Sequence, residues 1–342
     1  MSTSTMAVKP SVARQMIVAT MQCGLIPFLI GSPGIGKSEI YQSIADEGKL
    51  FLIDLRVSGS DPTDFNGFPD CNGKKATYLP FDTIPVVGDK IPDGYVGWLL
   101  LLDEYNSGSP AVHAATYKLL LNHMVGAHKV HPKVWICCAG NKETDNAIVN
   151  PLSTALQSRI VHIEMEPDLQ DFLTWWSTKG LTHTIPAFLN FSNKNFHTFK
   201  PDHTDFTYAC SRTWYFAGKF IDKLGLDNPL IRPLLNGTIS QGVTSEYLQF
   251  CRIYKDLPTI AALEANPETI DVPTSPSTLF AIVGFIGSHV TMKNIEQVSK
   301  YISRLPMEFQ VVCYRDIQRR NPDTKRSAAF QKWALANHRE LF

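Results

Sequence analysis

Gly31-Ser-Pro-Gly-Ile-Gly-Lys37-Ser38 matches G-x-x-x-x-G-K-[ST] at every fixed position. The apolar run Pro27-Phe-Leu-Ile30 precedes it and a helical pattern over 38–45 follows. Such a strand–loop–helix context gives the pattern a physical meaning. Glycines at 31, 34 and 36 let the backbone curl until successive N–H groups converge on an anion. The helix N-terminus adds its partial positive charge at the same point. Lys37 is then a solvent-facing point charge for β- and γ-phosphates, and the Ser38 hydroxyl a hard oxygen ligand for Mg²⁺.

Outward from this loop, short apolar runs at 26–30, 50–55, 98–102, 134–139 and 160–163 alternate with helical patterns. That alternation predicts an α/β domain, and runs apolar throughout predict parallel strands covered on both faces. The connection over 56–97 is long and rich in Gly and Pro, which marks it as functional and exposed, a place for partner contacts. Trp98-Leu-Leu-Leu-Leu102 ends in Asp103-Glu104. Adjacent strand residues point to opposite faces, so the two acids have different roles. Asp103 would hold the Mg²⁺, and Glu104 would orient and deprotonate an attacking water. Ser109 and Pro110 then predict the N-cap and first residue of a helix.

Val134-Trp-Ile-Cys-Cys-Ala139 leads to Gly140-Asn141. An amide at the carboxyl tip of a buried strand could hold the lytic water or the γ-phosphate, and a turn-forming Gly-Asn is the competing explanation. Arg159, between a helical pattern and the strand at 160–163, could neutralise charge developing on a γ-phosphate. Arg212 opens a helix predicted over 211–224, with Ser211 as N-cap and Gly225 past its end, and could reach the nucleotide from a lid.

Of the chain's 342 residues 44% are hydrophobic and 19% charged, and 32 Lys+Arg balance 32 Asp+Glu. This describes a globular protein with a sizeable core. Zero net charge and the lack of a clear basic stripe argue against nucleic acid as a partner. The longest apolar run, around 279–287, is too short for a membrane span, and the first residues lack the apolar core of a secretion signal. Seven cysteines without a CxxC pair suit a reducing, cytoplasmic setting rather than a disulfide framework or zinc site. His113, His123, His128 and His131 have no recognised ligand spacing and read as a helix-and-loop surface. Trp175-Trp176 reads as lid packing rather than base stacking. Residues 313–342 carry seven Lys/Arg against three Asp/Glu, a solvated face or a contact surface for an acidic partner.

GSPGIGKS, WLLLLDEYN, CCAGN and LQSRI, in that order, resemble the MoxR-like group of AAA+ ATPases. That group's pattern runs Walker A, Walker B ending in Asp-Glu with a following Asn, a sensor-1 Asn and an arginine finger. The resemblance covers about residues 10–225, and phage-encoded members look most like the whole chain. It implies a P-loop NTPase sheet of five parallel strands in the order 5-1-4-3-2. It implies ATP held by Gly31, Ser32, Pro33, Gly34, Ile35, Gly36, Lys37, Ser38 and Glu39, with Mg²⁺ on Ser38 and Asp103. Glu104, Asn141 as sensor 1, Arg159 as finger and Arg212 as sensor 2 complete the catalytic set that it implies. Ser158 stands where the family usually has an acid before the finger. The resemblance further implies a ring, most often a hexamer, and a remodelling chaperone partnered with a von Willebrand factor A domain protein. The competing functions are a nucleic-acid motor and a nucleotide-gated scaffold with little turnover. The expected organisation is a nucleotide-binding domain over 1–166, a helical lid over 167–257, and a Pro-rich linker with a helical appendage over 258–342.

Overall fold

The computed structural model describes residues 6–72, 75–145 and 149–337. They form two compact units, divided after Asp168 except that 200–202 group with the first.

The first unit opens with α1 (Pro10–Gln22), β1 (Ile26–Ile30), α2 (Lys37–Gly48) and β2 (Leu50–Arg56). Then come α3 (Pro62–Asn66), β3 (Phe68–Asp70), β4 (Thr77–Leu79), β5 (Gly97–Asp103) and α4 (Pro110–Asn122). It closes with β6 (Met124–Val125), β7 (His128–Lys129), β8 (Val134–Gly140), α5 (Thr154–Gln157) and β9 (Ile160–Glu164). Five strands pair in parallel in the order β2-β5-β8-β1-β9, which in the count of the five expected strands is 5-1-4-3-2 read from the β9 edge. The strand period sorts the core into two layers. Trp98, Leu100 and Leu102 pack with Val112, Leu119 and Leu120 of α4 on one face, while Leu99 and Leu101 pack with Ile17, Tyr41 and Ile44 of α1 and α2 on the other. Every residue of β5 is buried, as the uniformly apolar run predicts. Tyr41 reaches that core by donating its hydroxyl to the Cys138 carbonyl at 2.8 Å.

Register brings the carboxyl ends of four strands level: Ile30 lies beside Gly140, Leu102 beside Cys138, and Arg56 beside Asp103. The long 56–97 connection contains α3 and an antiparallel hairpin, β3–β4, which leaves Phe68, Tyr78 and Leu79 exposed. A second hairpin, β6–β7, supports it, for His128 Nε2 lies 2.9 Å from the Tyr78 carbonyl oxygen.

The second unit comprises α6 (Leu169–Ser177), α7 (Thr184–Phe191), α8 (Ser211–Leu224), α9 (Ile231–Ile239) and α10 (Gln241–Lys255), followed by α11 (Ile260–Ala265), α12 (Pro276–His289), α13 (Ile295–Ile302), α14 (Met307–Arg320) and α15 (Ala328–Ala336). α8 has the expected limits, but its N-cap is Cys210 rather than Ser211. Thr213 Oγ1 accepts the Cys210 N–H at 2.8 Å, closing a capping box one residue earlier. Trp176 and Trp214 fill the first core of this unit, and each indole N–H donates to a carbonyl, of Thr182 and Asn195, at 3.0 Å.

The stretch after 258 is not laid out as a linker followed by an appendage. α11 buries Leu263 within the supposed linker, and α12 contributes Ala281 to the first core and Ile282, Val283 and Ile286 to the second. A helix sharing both cores joins them into one unit. Residues 338–342 of the expected appendage lie outside the described residues. The basic run from 313 also differs from a wholly solvated face. Arg319 and Arg320 approach the buried Asp316 at 3.5 and 3.7 Å, and Arg319 also donates to Gln170 of α6 at 2.8 Å. Burial raises the Asp316 carboxyl pKa, and the two guanidinium groups oppose that rise. Among the described residues no helix is long and apolar enough to cross a membrane, and the apolar run at 279–287 is the core-facing part of α12.

Candidate active site

The loop 31–36 joins β1 to α2 at the carboxyl edge of the sheet, with Gly31, Gly34 and Ile35 buried and Ser32, Pro33 and Gly36 partly so. Gly36 is the N-cap of α2 at φ 98°, a left-handed conformation that a side chain would strain. Ile35 anchors the loop in the α1–α2 core, and Glu39 is exposed on the first turn of α2.

Lys37 differs from the solvent-facing charge that the sequence predicts. It is only 9% exposed. Its Nζ donates to the carbonyls of Gly31 and Ser32 at 2.6 and 3.0 Å and to Asn141 Oδ1 at 3.0 Å. A buried ammonium needs such partners, and this loop and the tip of β8 supply them. The loop lysine and the expected sensor asparagine, 104 residues apart in the chain, are therefore in direct contact.

Beside them, Ser38 Oγ donates to Asp103 Oδ2 at 3.0 Å, while Asp103 Oδ1 accepts the Glu104 N–H at 2.8 Å. A hydroxyl and a carboxylate converging at the start of a helix form a hard-oxygen donor set that fits Mg²⁺. Asp54 of β2 lies in the same field. Its carboxyl pKa is raised by desolvation and then by the charge of Asp103.

Glu104 leaves the strand with φ 52°, a left-handed backbone rare for glutamate. That turn separates it from Asp103 more sharply than strand alternation alone would. Its carboxylate accepts a hydrogen bond from Ser58 and pairs with Arg56 at 3.8 Å. Both partners come from the end of β2 and the turn after it. Nothing in the linear sequence marks Arg56 or Ser58, because only the β2–β5 register brings them to Glu104.

Asn106 is the other residue that reasoning from sequence leaves out of the site. Its side chain clamps Asn141 from both sides, donating to the Asn141 carbonyl at 2.7 Å and accepting the Asn141 N–H at 3.2 Å. Gly140 makes this possible, since a Cβ there would lie 2.3 Å from Asn106 Oδ1. The signal was the asparagine of Asp-Glu-Tyr-Asn, present in the motif but without an assigned task. With Asn106 in place, Gly140-Asn141 is a positioned strand tip rather than a free turn.

Arg159 is not brought to this cluster. It is exposed between α5 and β9, and its guanidinium donates to the Ala155 carbonyl at 2.8 Å. β9 is the immediate neighbour of β1, so Arg159 is not set apart from the loop across the sheet. What separates them is strand length. Ile160 pairs with Ile26, which sets Arg159 level with Leu25 at the opposite edge, about 20 Å from Gly31 at ~3.3 Å per residue. Arg212, in the second unit, is the exposed second residue of α8.

The remaining candidates take structural places. His113 is buried with Nε2 2.8 Å from the Tyr105 carbonyl oxygen, a core residue rather than a surface one, and His131 packs edge-on against Trp98. No group of three metal-ligating side chains occurs among the described residues. Cys137 and Cys138 are buried free thiols whose pKa is pushed up by burial.

No protein-family model matches the chain. No curated protein matches it either. Among solved structures it is similar to NtrX from Brucella abortus, at 13% identity and a TM-score of 0.41, over 92% of this chain and 69% of that one. It is also similar to the same protein in complex with ADP, at 13% identity and a TM-score of 0.35, over 97% and 67% of the two chains.

Proposed function

We propose that this chain is an ATP-hydrolysing AAA+ protein of the MoxR-like kind, acting as a ring on a protein partner. One observation supports it above the others. Lys37, Asn141, Ser38, Asp103 and Glu104, drawn from the ends of two neighbouring strands and the start of one helix, meet at a single sheet edge. A binding scaffold needs the loop alone, whereas this edge also holds a carboxylate free of the Ser38–Asp103 pair.

Loop N–H groups and Lys37 hold the β- and γ-phosphates, with the ammonium turning from the Gly31 and Ser32 carbonyls toward the anion. Ser38 and Asp103 would hold Mg²⁺, which would supply positive charge to offset that of the phosphates. Asn141, fixed by Asn106, orients the attacking water or the γ-phosphate. The water oxygen bonds to the γ-phosphorus, its proton passes to Glu104, and ADP leaves. Arg56 and Ser58 hold the Glu104 carboxylate on the β2 side until it is released to the water.

Steady-state ATP hydrolysis, with and without candidate proteins or DNA, tests this reading. Lys37→Ala should lose nucleotide binding by fluorescent-ATP titration while circular dichroism shows a folded chain. Wild-type affinity in that variant would remove the loop from the site.

The β3–β4 hairpin offers one surface for partner contacts, since its exposed Phe68, Tyr78 and Leu79 contribute nothing to the two cores of the sheet. Replacing 68–79 by a short Gly-Ser link should spare basal ATPase and abolish any partner-stimulated part. An unfolded product would make the hairpin structural instead.

A further inference from the structure

The basic C-terminal run turns Arg319 and Arg320 toward the buried Asp316, and a second cationic surface lies elsewhere in the second unit. Helix α8 carries one. At 3.6 residues per turn, Arg212, Phe216, Lys219 and Lys223 fall on one stripe about 16 Å long, opposite the buried Trp214, Ala217 and Ile221. Phe216 is 44% exposed, an unusual place for a phenyl ring between lysines.

The stripe continues onto α6 through its aromatic neighbours. Lys219 Nζ lies 4.8 Å over the ring of Tyr215. Tyr215 meets Trp175 edge-on at 5.3 Å. Lys179 Nζ lies 4.9 Å over the Trp175 ring. The outcome is a row of ammonium, ring, ring and ammonium, with Lys223 and Phe216 alongside. The acid of α8, Asp222, flanks this row on the α6 side, where its carboxylate accepts the Thr182 N–H at 3.1 Å. No ion pair of Lys219 or Lys223 occurs among the described residues.

Two polyanions could be drawn to such a row, and the ring contacts choose between them. A nucleic-acid base needs an open ring face for stacking. Here ammonium groups already cover faces of Trp175 and Tyr215. A carboxylate, in contrast, meets those ammonium groups where they stand. Lysines pinned over rings also lose less freedom on binding than free ones. We propose that this face of α6 and α8 docks an acidic polypeptide segment, its carboxylates on Lys179, Lys219 and Lys223 and an apolar side chain on Phe216. It deepens the proposed function by giving the protein partner a chemistry, and rests on that reading only for the purpose of the contact.

Fluorescence anisotropy of the full chain with a labelled peptide of repeated Glu-Glu-Leu tests the proposal without nucleotide. Wild type should bind it, and the Lys219→Glu/Lys223→Glu variant should bind roughly tenfold more weakly, as two exposed pairs change from attraction to repulsion. Phe216→Ala should weaken binding several-fold, and a Lys-Lys-Leu peptide should prefer the reversed variant to wild type. Circular dichroism and basal ATP turnover should stay unchanged in these variants, since none touches the phosphate site. Failure of wild type to bind, or equal binding by the reversed variant, overturns the proposal. So does tighter, Lys219-dependent binding of a labelled oligo-dT strand. Peptide binding by a chain that never hydrolyses ATP would sustain this surface and sink only the hydrolysis reading.

Discussion

Glu104→Gln should bind ATP with near wild-type affinity and hydrolyse it about 10²–10⁴-fold more slowly. The amide keeps the side chain's size but cannot accept the water's proton. Binding should survive because no contact of the Glu104 side chain reaches the phosphate loop. Its partners are Ser58 and Arg56, while Lys37 and Ser38 bond to Asn141 and Asp103. The left-handed backbone at Glu104 depends on the surrounding turn and not on the carboxylate charge, so the variant should fold. Single-turnover hydrolysis beside a nucleotide-binding titration separates the two effects. Such a variant would also hold an ATP-bound assembly and trap a partner. Turnover within a factor of two of wild type would take Glu104 out of catalysis.

Arg159→Ala should be nearly inactive by itself, with a loss of roughly 10³–10⁵ in rate, the range an arginine finger supplies in related phosphoryl transfer. Arg159 stands just before β9 and the glycine-rich loop follows the end of β1, so about 20 Å separates them within one chain. An arginine side chain cannot span that gap, but in a ring the same edge can face the next subunit's phosphates. Mixing Arg159→Ala protein, which keeps its phosphate loop, with Lys37→Ala protein, which keeps its arginine, should restore activity. Size-exclusion chromatography with light scattering would establish the mixed oligomers. Absence of rescue in those oligomers, or full specific activity in a dilute monomer, would falsify the shared site.

The parts of the fold legible in the chain are those whose cause is local. Ser109 caps α4 with its hydroxyl accepting the Val112 N–H, and Pro110 sits at the first position, as that dipeptide predicts. The uniformly apolar 98–102 run predicts a strand with no solvent face, and β5 has none. Histidines and prolines misled where tertiary packing overrode a surface pattern. His113 finds a carbonyl partner in the core, and α11 forms between Pro258 and Pro267 because Leu263 has an apolar site to fill.

For the site, local pattern was enough to mark the glycine-rich loop over 31–36, the acidic pair Asp103-Glu104 and the asparagine at a strand tip, because each is set by residues within one turn or one strand of each other. Tertiary structure alone decided which of them meet. Parallel register placed Asn141 on Lys37 and brought Arg56 and Ser58 to Glu104, and it held Arg159 a strand's length from its own loop. It also buried Lys37 and gave Asn106 its grip on β8 through the space left by Gly140. The physical reason is that a pattern encodes which groups a segment can offer. Their distances follow from the alignment of strand ends and the packing of helices, which no single segment contains.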